Sequence, residues 1–78
     1  MTYHTGFKDP ADHPIWREFT SAERAQLQEG SPVFVLIPGE DHARTARFLR
    51  WSRWAAKILY DGETGPDFVG PFSLGTRR

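Results

Sequence analysis

The chain has 78 residues, no cysteine, and a formal net charge of zero from ten basic and ten acidic side chains. That length allows a single domain whose core is close to the smallest that folds unaided, and the lack of cysteine excludes disulfides and thiolate metal sites. No stretch is long and apolar enough to cross a bilayer, and aromatics at 14% of the chain, with Trp16, Trp51 and Trp54 among them, are too many for a disordered segment.

In chain order, residues 1–15 hold Pro10 and Pro14, carry no sustained period, and read as an extended N-terminal arm. Residues 16–78 read as one small domain. Thr20 and Glu23 are spaced as a capping box, which predicts a short helix from Ser21 to Glu29 closed by Gly30. Pro32-Val33-Phe34-Val35-Leu36-Ile37, bounded by Gly30 and Pro38-Gly39, predicts a buried strand.

Residues 41–60 admit two readings. As a helix, Phe48, Trp51, Ala55, Ile58 and Leu59 share one face while Arg47, Arg50, Arg53 and Lys57 share another. As two strands, Ala46 and Phe48 fall on the inner face of the first, and Trp54, Ala56, Ile58 and Tyr60 alternate along the second. Ser52-Arg53 between them lacks the Gly or Asn that a tight hairpin prefers.

The run Leu27-Gln28-Glu29-Gly30-Ser31-Pro32-Val33-Phe34-Val35 resembles the entry to an SH3-like small barrel of the Tudor or KOW type. Ala46-Arg47-Phe48-Leu49 is similar to the second strand of such modules, and Ile58-Leu59-Tyr60-Asp61-Gly62 to the third strand and its turn. Val69-Gly70-Pro71-Phe72-Ser73-Leu74 resembles the closing strand and single-turn helix. The resemblance spans residues 27–75. It implies a mainly β fold: an SH3-like small β-barrel preceded by an extended arm and one short helix. The alternative is an α+β fold with a long helix at 41–60 packed on a small sheet.

Catalytic chemistry finds no foothold in the pattern. Ser21, Ser31, Ser52 and Ser73 sit in cap, turn or loop contexts without a nucleophile elbow, and the glycines form no phosphate-binding loop. His4, Asp9, Asp12 and His13, and the Asp41-His42 pair, lack the spacing of metal ligands and read as solvated. The expectation is a non-enzyme with no cofactor and no metal. The plasmid-borne dihydrofolate reductases are similar in size and fold, but their pore-lining valine-glutamine-isoleucine-tyrosine stretch has no counterpart in Phe68-Val69-Gly70-Pro71-Phe72.

Zero net charge conceals an asymmetry. Residues 1–40 hold three basic and six acidic side chains, residues 41–78 seven and four, and residues 42–57 carry Arg44, Arg47, Arg50, Arg53 and Lys57 without an acid. Interleaved with Leu49 and Trp51, these define a candidate partner-binding surface of Arg47, Leu49, Arg50, Trp51, Arg53 and Lys57. On the barrel reading Arg47, Leu49 and Trp51 point outward, as do Arg53, Lys57 and Leu59 from the next strand, while Trp54 goes to the core. An Arg-flanked Trp is the composition of a protein-interface hot spot and of a base-stacking groove. The neutral total favours a protein partner, with nucleic acid as the alternative and no membrane. In size and style the chain resembles the small anti-CRISPR inhibitors that phages and mobile elements direct against host protein or nucleoprotein complexes. The start Met1-Thr2-Tyr3-His4 lacks a secretory pattern, so the expected location is the cytoplasm, and the marginal core leads to the expectation of a homo-oligomer.

Overall fold

The structure, a computed structural model, describes residues 12–78; His4, Asp9 and most of the expected arm lie outside the described residues. The fold is mainly β. Strands β1 (Trp16–Glu18), β2 (Pro32–Val35), β3 (Arg44–Ser52), β4 (Ala55–Tyr60), β5 (Asp67–Val69) and β6 (Leu74–Arg77) form one sheet of order β1-β6-β2-β3-β4-β5. Every neighbouring pair is antiparallel. One α-helix, α1 (Ser21–Ala25), follows β1, and a single-turn 3-10 helix (Pro71–Ser73) precedes β6. Among the described residues no helix is long and apolar enough to cross a membrane.

Residues 41–60 form two strands rather than one helix. The hairpin places Ala46 and Phe48 opposite Tyr60 and Ile58, so that all four bury on one face, and Ala56 joins them. A single helix could offer the core only one stripe of these side chains. The turn is made by Arg53 and Trp54, with Arg53 in the left-handed region at φ +52°. That conformation costs a non-glycine residue about 1 kcal/mol, which the ladder on either side outweighs.

One face of the sheet carries the main core of Val33, Val35, Ala46, Phe48, Ala56, Ile58, Tyr60, Val69 and Leu74. Val69 on β5 and Leu74 on β6 share this cluster although three strands separate them in the sheet, so the sheet curls around it. Phe19, Leu27 and Ile37 pack at its margin. The opposite face buries a smaller cluster of Trp16, Phe34 and Leu36. There the Trp16 indole N–H donates to the Phe34 carbonyl at 2.8 Å, and the ring lies over Gly75, whose missing side chain makes the room.

Two local expectations are corrected. The helix ends at Ala25 rather than Glu29, because Leu27 turns toward the core and residues 28–31 close a turn in which Ser31 N–H donates to the Gln28 carbonyl. Gly30, at φ +90°, therefore serves that turn and donates its N–H to the Phe48 carbonyl at 2.7 Å instead of capping the helix. His13 is buried rather than solvated. Its Nδ1 accepts the N–H groups of Ile15 and Trp16, which assigns the ring proton to Nε2, 2.8 Å from the Asp41 carbonyl.

The capping box is present in both directions, with Thr20 Oγ1 accepting from Glu23 N–H and Glu23 Oε1 accepting from Thr20 N–H. Glu23 also holds Arg17 through two bonds of 3.0 Å. The Arg17 guanidinium, then the Thr20 amide, lower the Glu23 carboxyl from 4.5 to about 2. A carboxyl with a lowered folded-state value adds stability above its unfolded value and loses it as pH falls. Thermal melts of the wild type are therefore expected to lose stability between pH 4.5 and about 2 more steeply than melts of Glu23→Gln. A second expectation concerns Gly75. A Cβ at this position falls on the Arg17 carbonyl oxygen and 2.6 Å from the Trp16 ring. Gly75→Ala should destabilise the fold by about 2–3 kcal/mol in urea titration.

Candidate interaction surface

The β3–β4 ladder contains an irregularity that decides where the side chains of the hairpin point. Phe48 pairs with Ile58 and Arg50 with Lys57, leaving Leu49 as an extra, unpaired residue in β3. A β-bulge of this kind reverses the alternation of every residue beyond it. Arg50 consequently shares the outer face with Arg47, opposite Lys57, and Trp51 shares the inner face with Phe48, opposite Ala56. The expectation that Trp51 points outward beside Arg47 and Leu49 is thus corrected. Its ring meets Phe48 at 5.1 Å between centroids with a 59° tilt, and stays 39% exposed at the open end of the core.

Trp54 is the second correction. Expected in the core, it occupies the turn instead and is 69% exposed, with the Arg53 guanidinium 5.6 Å from its ring. Sequence alternation had counted it as the first inner residue of β4, but that strand starts at Ala55.

Of the six candidate residues, Arg47, Arg50 and Lys57 gather on the outer face of the hairpin, Leu49 is the half-buried extra residue, Arg53 is in the turn and Trp51 faces the other way. Leu59, opposite Arg47, adds apolar surface to the outer face. Phe68, outside the six candidates, belongs here too. It lies opposite Lys57 on β5, giving a cross-strand row of Arg50, Lys57 and Phe68, and is half exposed. The signal for it was Val69, since an inward Val69 in a strand turns its neighbour out.

Among the described residues the ion pairs are Arg17–Glu23, Arg24–Glu18 and Arg44–Glu63. None involves Arg47, Arg50, Arg53 or Lys57. Arg47 donates to the Gly30 carbonyl at 3.2 Å, which fixes its stem across the start of β2. The other end of the hairpin is different in character. Arg44 lies 3.8 Å from the centre of the Tyr60 ring and bonds Glu63, and Glu40, Asp41 and Asp61 sit in the adjoining loops. Burial pushes the Tyr60 hydroxyl up from 10.0, against the lowering effect of Arg44. Among the described residues no group of three His, Asp or Glu side chains is placed to hold a metal ion.

Searches against protein-family models, curated proteins and solved structures find no match to this chain.

The two tryptophans should separate in stability measurements. Trp51→Ala removes a ring packed on Phe48 and is expected to cost about 1–2 kcal/mol in urea denaturation. Trp54→Ala, at an exposed turn, should stay within about 0.5 kcal/mol of the wild type.

Proposed function

We propose that the chain is an SH3-like small barrel that works as a non-enzymatic protein-interaction module, docking on an acidic surface of a larger protein or nucleoprotein complex through its β3–β4 hairpin. The curl of the antiparallel sheet around one core and the single 3-10 turn at Pro71–Ser73, where the resemblance places a single-turn helix, support the barrel reading. The observation that carries the function is the exposed Trp54 under Arg53, at the tip of a hairpin whose outer face holds Arg47, Arg50 and Lys57, with no carboxylate among the described residues paired to them. A rigid aromatic beside guanidinium groups is the composition that dominates protein-interface energetics. The cations steer encounter with an acidic partner, and the ring supplies the buried contact. Blocking a host complex, in the manner of small phage inhibitors, is the form of activity that such a surface suits.

Nucleic acid is the competing target, because the same cations and rings could hold phosphates and stack bases. Against it stand Asp61, Glu63 and Asp67, which a long polyanion crossing this hairpin would meet at the far end of β4 and on β5. The test is affinity capture from the source cell with the wild type, Trp54→Ala and the Arg50→Glu/Lys57→Glu pair, alongside anisotropy titrations with generic oligonucleotides. Capture of one acidic protein that falls at least about tenfold in both variants is expected, with oligonucleotide binding weak at about 150 mM salt. Micromolar oligonucleotide binding that falls steeply with salt, and is lost in the charge-reversed pair, would replace the protein-docking reading with a nucleic-acid module.

A further inference from the structure

A groove of about 320 Å3 opens on the outer face of the sheet, away from the hairpin tip, where β6, β2 and β3 run side by side. Its origin lies in the register. β2 pairs with β6 only at Phe34–Gly75 and Val35–Leu74, whereas β6 continues to Arg77 against β1 and β2 starts at Pro32 against β3. Beyond Phe34 the two strands therefore part. Alternation along β6, fixed by the bond from Arg78 N–H to the Ile15 carbonyl, turns the Arg77 N–H and C=O toward this gap. Pro32, across it, has no N–H to offer the Arg77 carbonyl.

The groove walls are cationic on both sides of β2. Arg47 rises from β3 and Arg77 from β6, with the Arg77 guanidinium 4.5 Å from the centre of the Phe34 ring at the floor. Arg47 and Arg77 flank β2 from its two neighbouring strands, so the space above β2 offers both guanidinium groups to one carboxylate. Neither forms an ion pair among the described residues. Thr45 and Asp61 close the far end.

We propose that this groove binds an extended acidic segment of a partner protein, with one carboxylate side chain held between Arg47 and Arg77 and the segment's main chain meeting the Arg77 N–H and C=O. Asp61, at the far end, can accept a main-chain N–H of the segment, a donor that a phosphodiester backbone lacks. The inference rests on the reading that the partner is a protein, and adds a second contact remote from Trp54.

The test is an NMR titration of the folded, isotope-labelled chain with a short peptide of alternating Glu and Val, and with its Gln counterpart. Amide shifts at Thr45, Asp61, Thr76 and Arg77 are expected for the Glu peptide, with at least about tenfold weaker binding of the Gln peptide and of the Glu peptide to Arg77→Gln. Arg77→Lys, which keeps charge and stem but loses the fork, should fall between. The spectra of both variants report directly whether the fold persists. Trp54→Ala should leave peptide binding unchanged, so that failure at the tip and failure in the groove are told apart. Equal binding of the Glu and Gln peptides, or shifts confined to Arg53 and Trp54, overturns the proposal. So does an oligonucleotide that binds the groove more tightly than the Glu peptide and is lost in Arg77→Gln.

Discussion

The extra residue at Leu49 sets the direction of every side chain in the outer half of β3. With strict alternation from Phe48, Arg50 would pair with Ala56 and face the core, and Trp51 would stand in solvent. Burying an unpaired guanidinium beside Phe48 and Ile58 costs several kcal/mol, far more than one disrupted rung. Inserting Leu49 removes that conflict, because it lets Arg47 and Arg50 face water together while Phe48 and Trp51 stack on the inner side. The ladder on the other flank of β3 ends at the same place. Phe48 exchanges bonds with Gly30 and Ser31 at 2.7 and 2.8 Å, and beyond it only β4 accompanies the strand. On the β4 side β5 keeps company from Ile58 to Ala56, so only the last rung, Ser52–Ala55, and the turn that carries Trp54 extend past the sheet.

An open sheet has two edges, and local hydrogen bonds blunt both. On β5, Phe68 N–H donates to the Asp67 side chain at 3.1 Å, so a carboxylate covers the donor that a further strand would use. On β1, the Trp16 N–H is taken by His13 Nδ1 and the Glu18 carbonyl by Arg17 Nη1. His13 therefore does more than tie down the segment ahead of β1. It terminates the edge beside the most deeply packed tryptophan, whose ring in turn covers Gly75 on the strand next door. A second copy of the chain, or any other protein, meets a face or the hairpin tip more readily than an edge.

Much of the fold was legible. Thr20 and Glu23 announced the helix start, the alternation of Ala56, Ile58 and Tyr60 marked β4, and Pro32 to Val35 marked β2. The helical appearance of residues 47–58 has a definite cause. A bulge makes residues three apart share a face, so Arg47 with Arg50 and Phe48 with Trp51 imitate a helical repeat while lying in a strand. No local residue preference marks Leu49 as the extra one, and its position emerges only from pairing with β4. The same blindness misplaced Trp51 and Trp54, since each was assigned a face by counting from the wrong origin. The cations of the candidate surface were legible because charge runs are read without regard to phase. Arg77 and Phe34, which line the groove with Arg47, are far apart in sequence and meet only through the β6–β2 register.

The neutral total charge is a sum over ends of unlike sign. Arg50, Arg53 and Lys57 stand toward the tip of the hairpin, while Glu40, Asp41, Asp61 and Glu63 surround its base. Exposed charges interact over roughly 8 Å at physiological salt, so a partner approaching the tip feels the local cations and little of the acids behind them. For a compact acidic patch this arrangement is attractive and orients the encounter, tip first. For a polyanion long enough to run the length of β3 and β4, attraction at one end is offset by repulsion at the other. Net charge therefore understates the pull of the hairpin on a small acidic target and describes its response to a long one more faithfully, a distinction that comes from placement rather than composition.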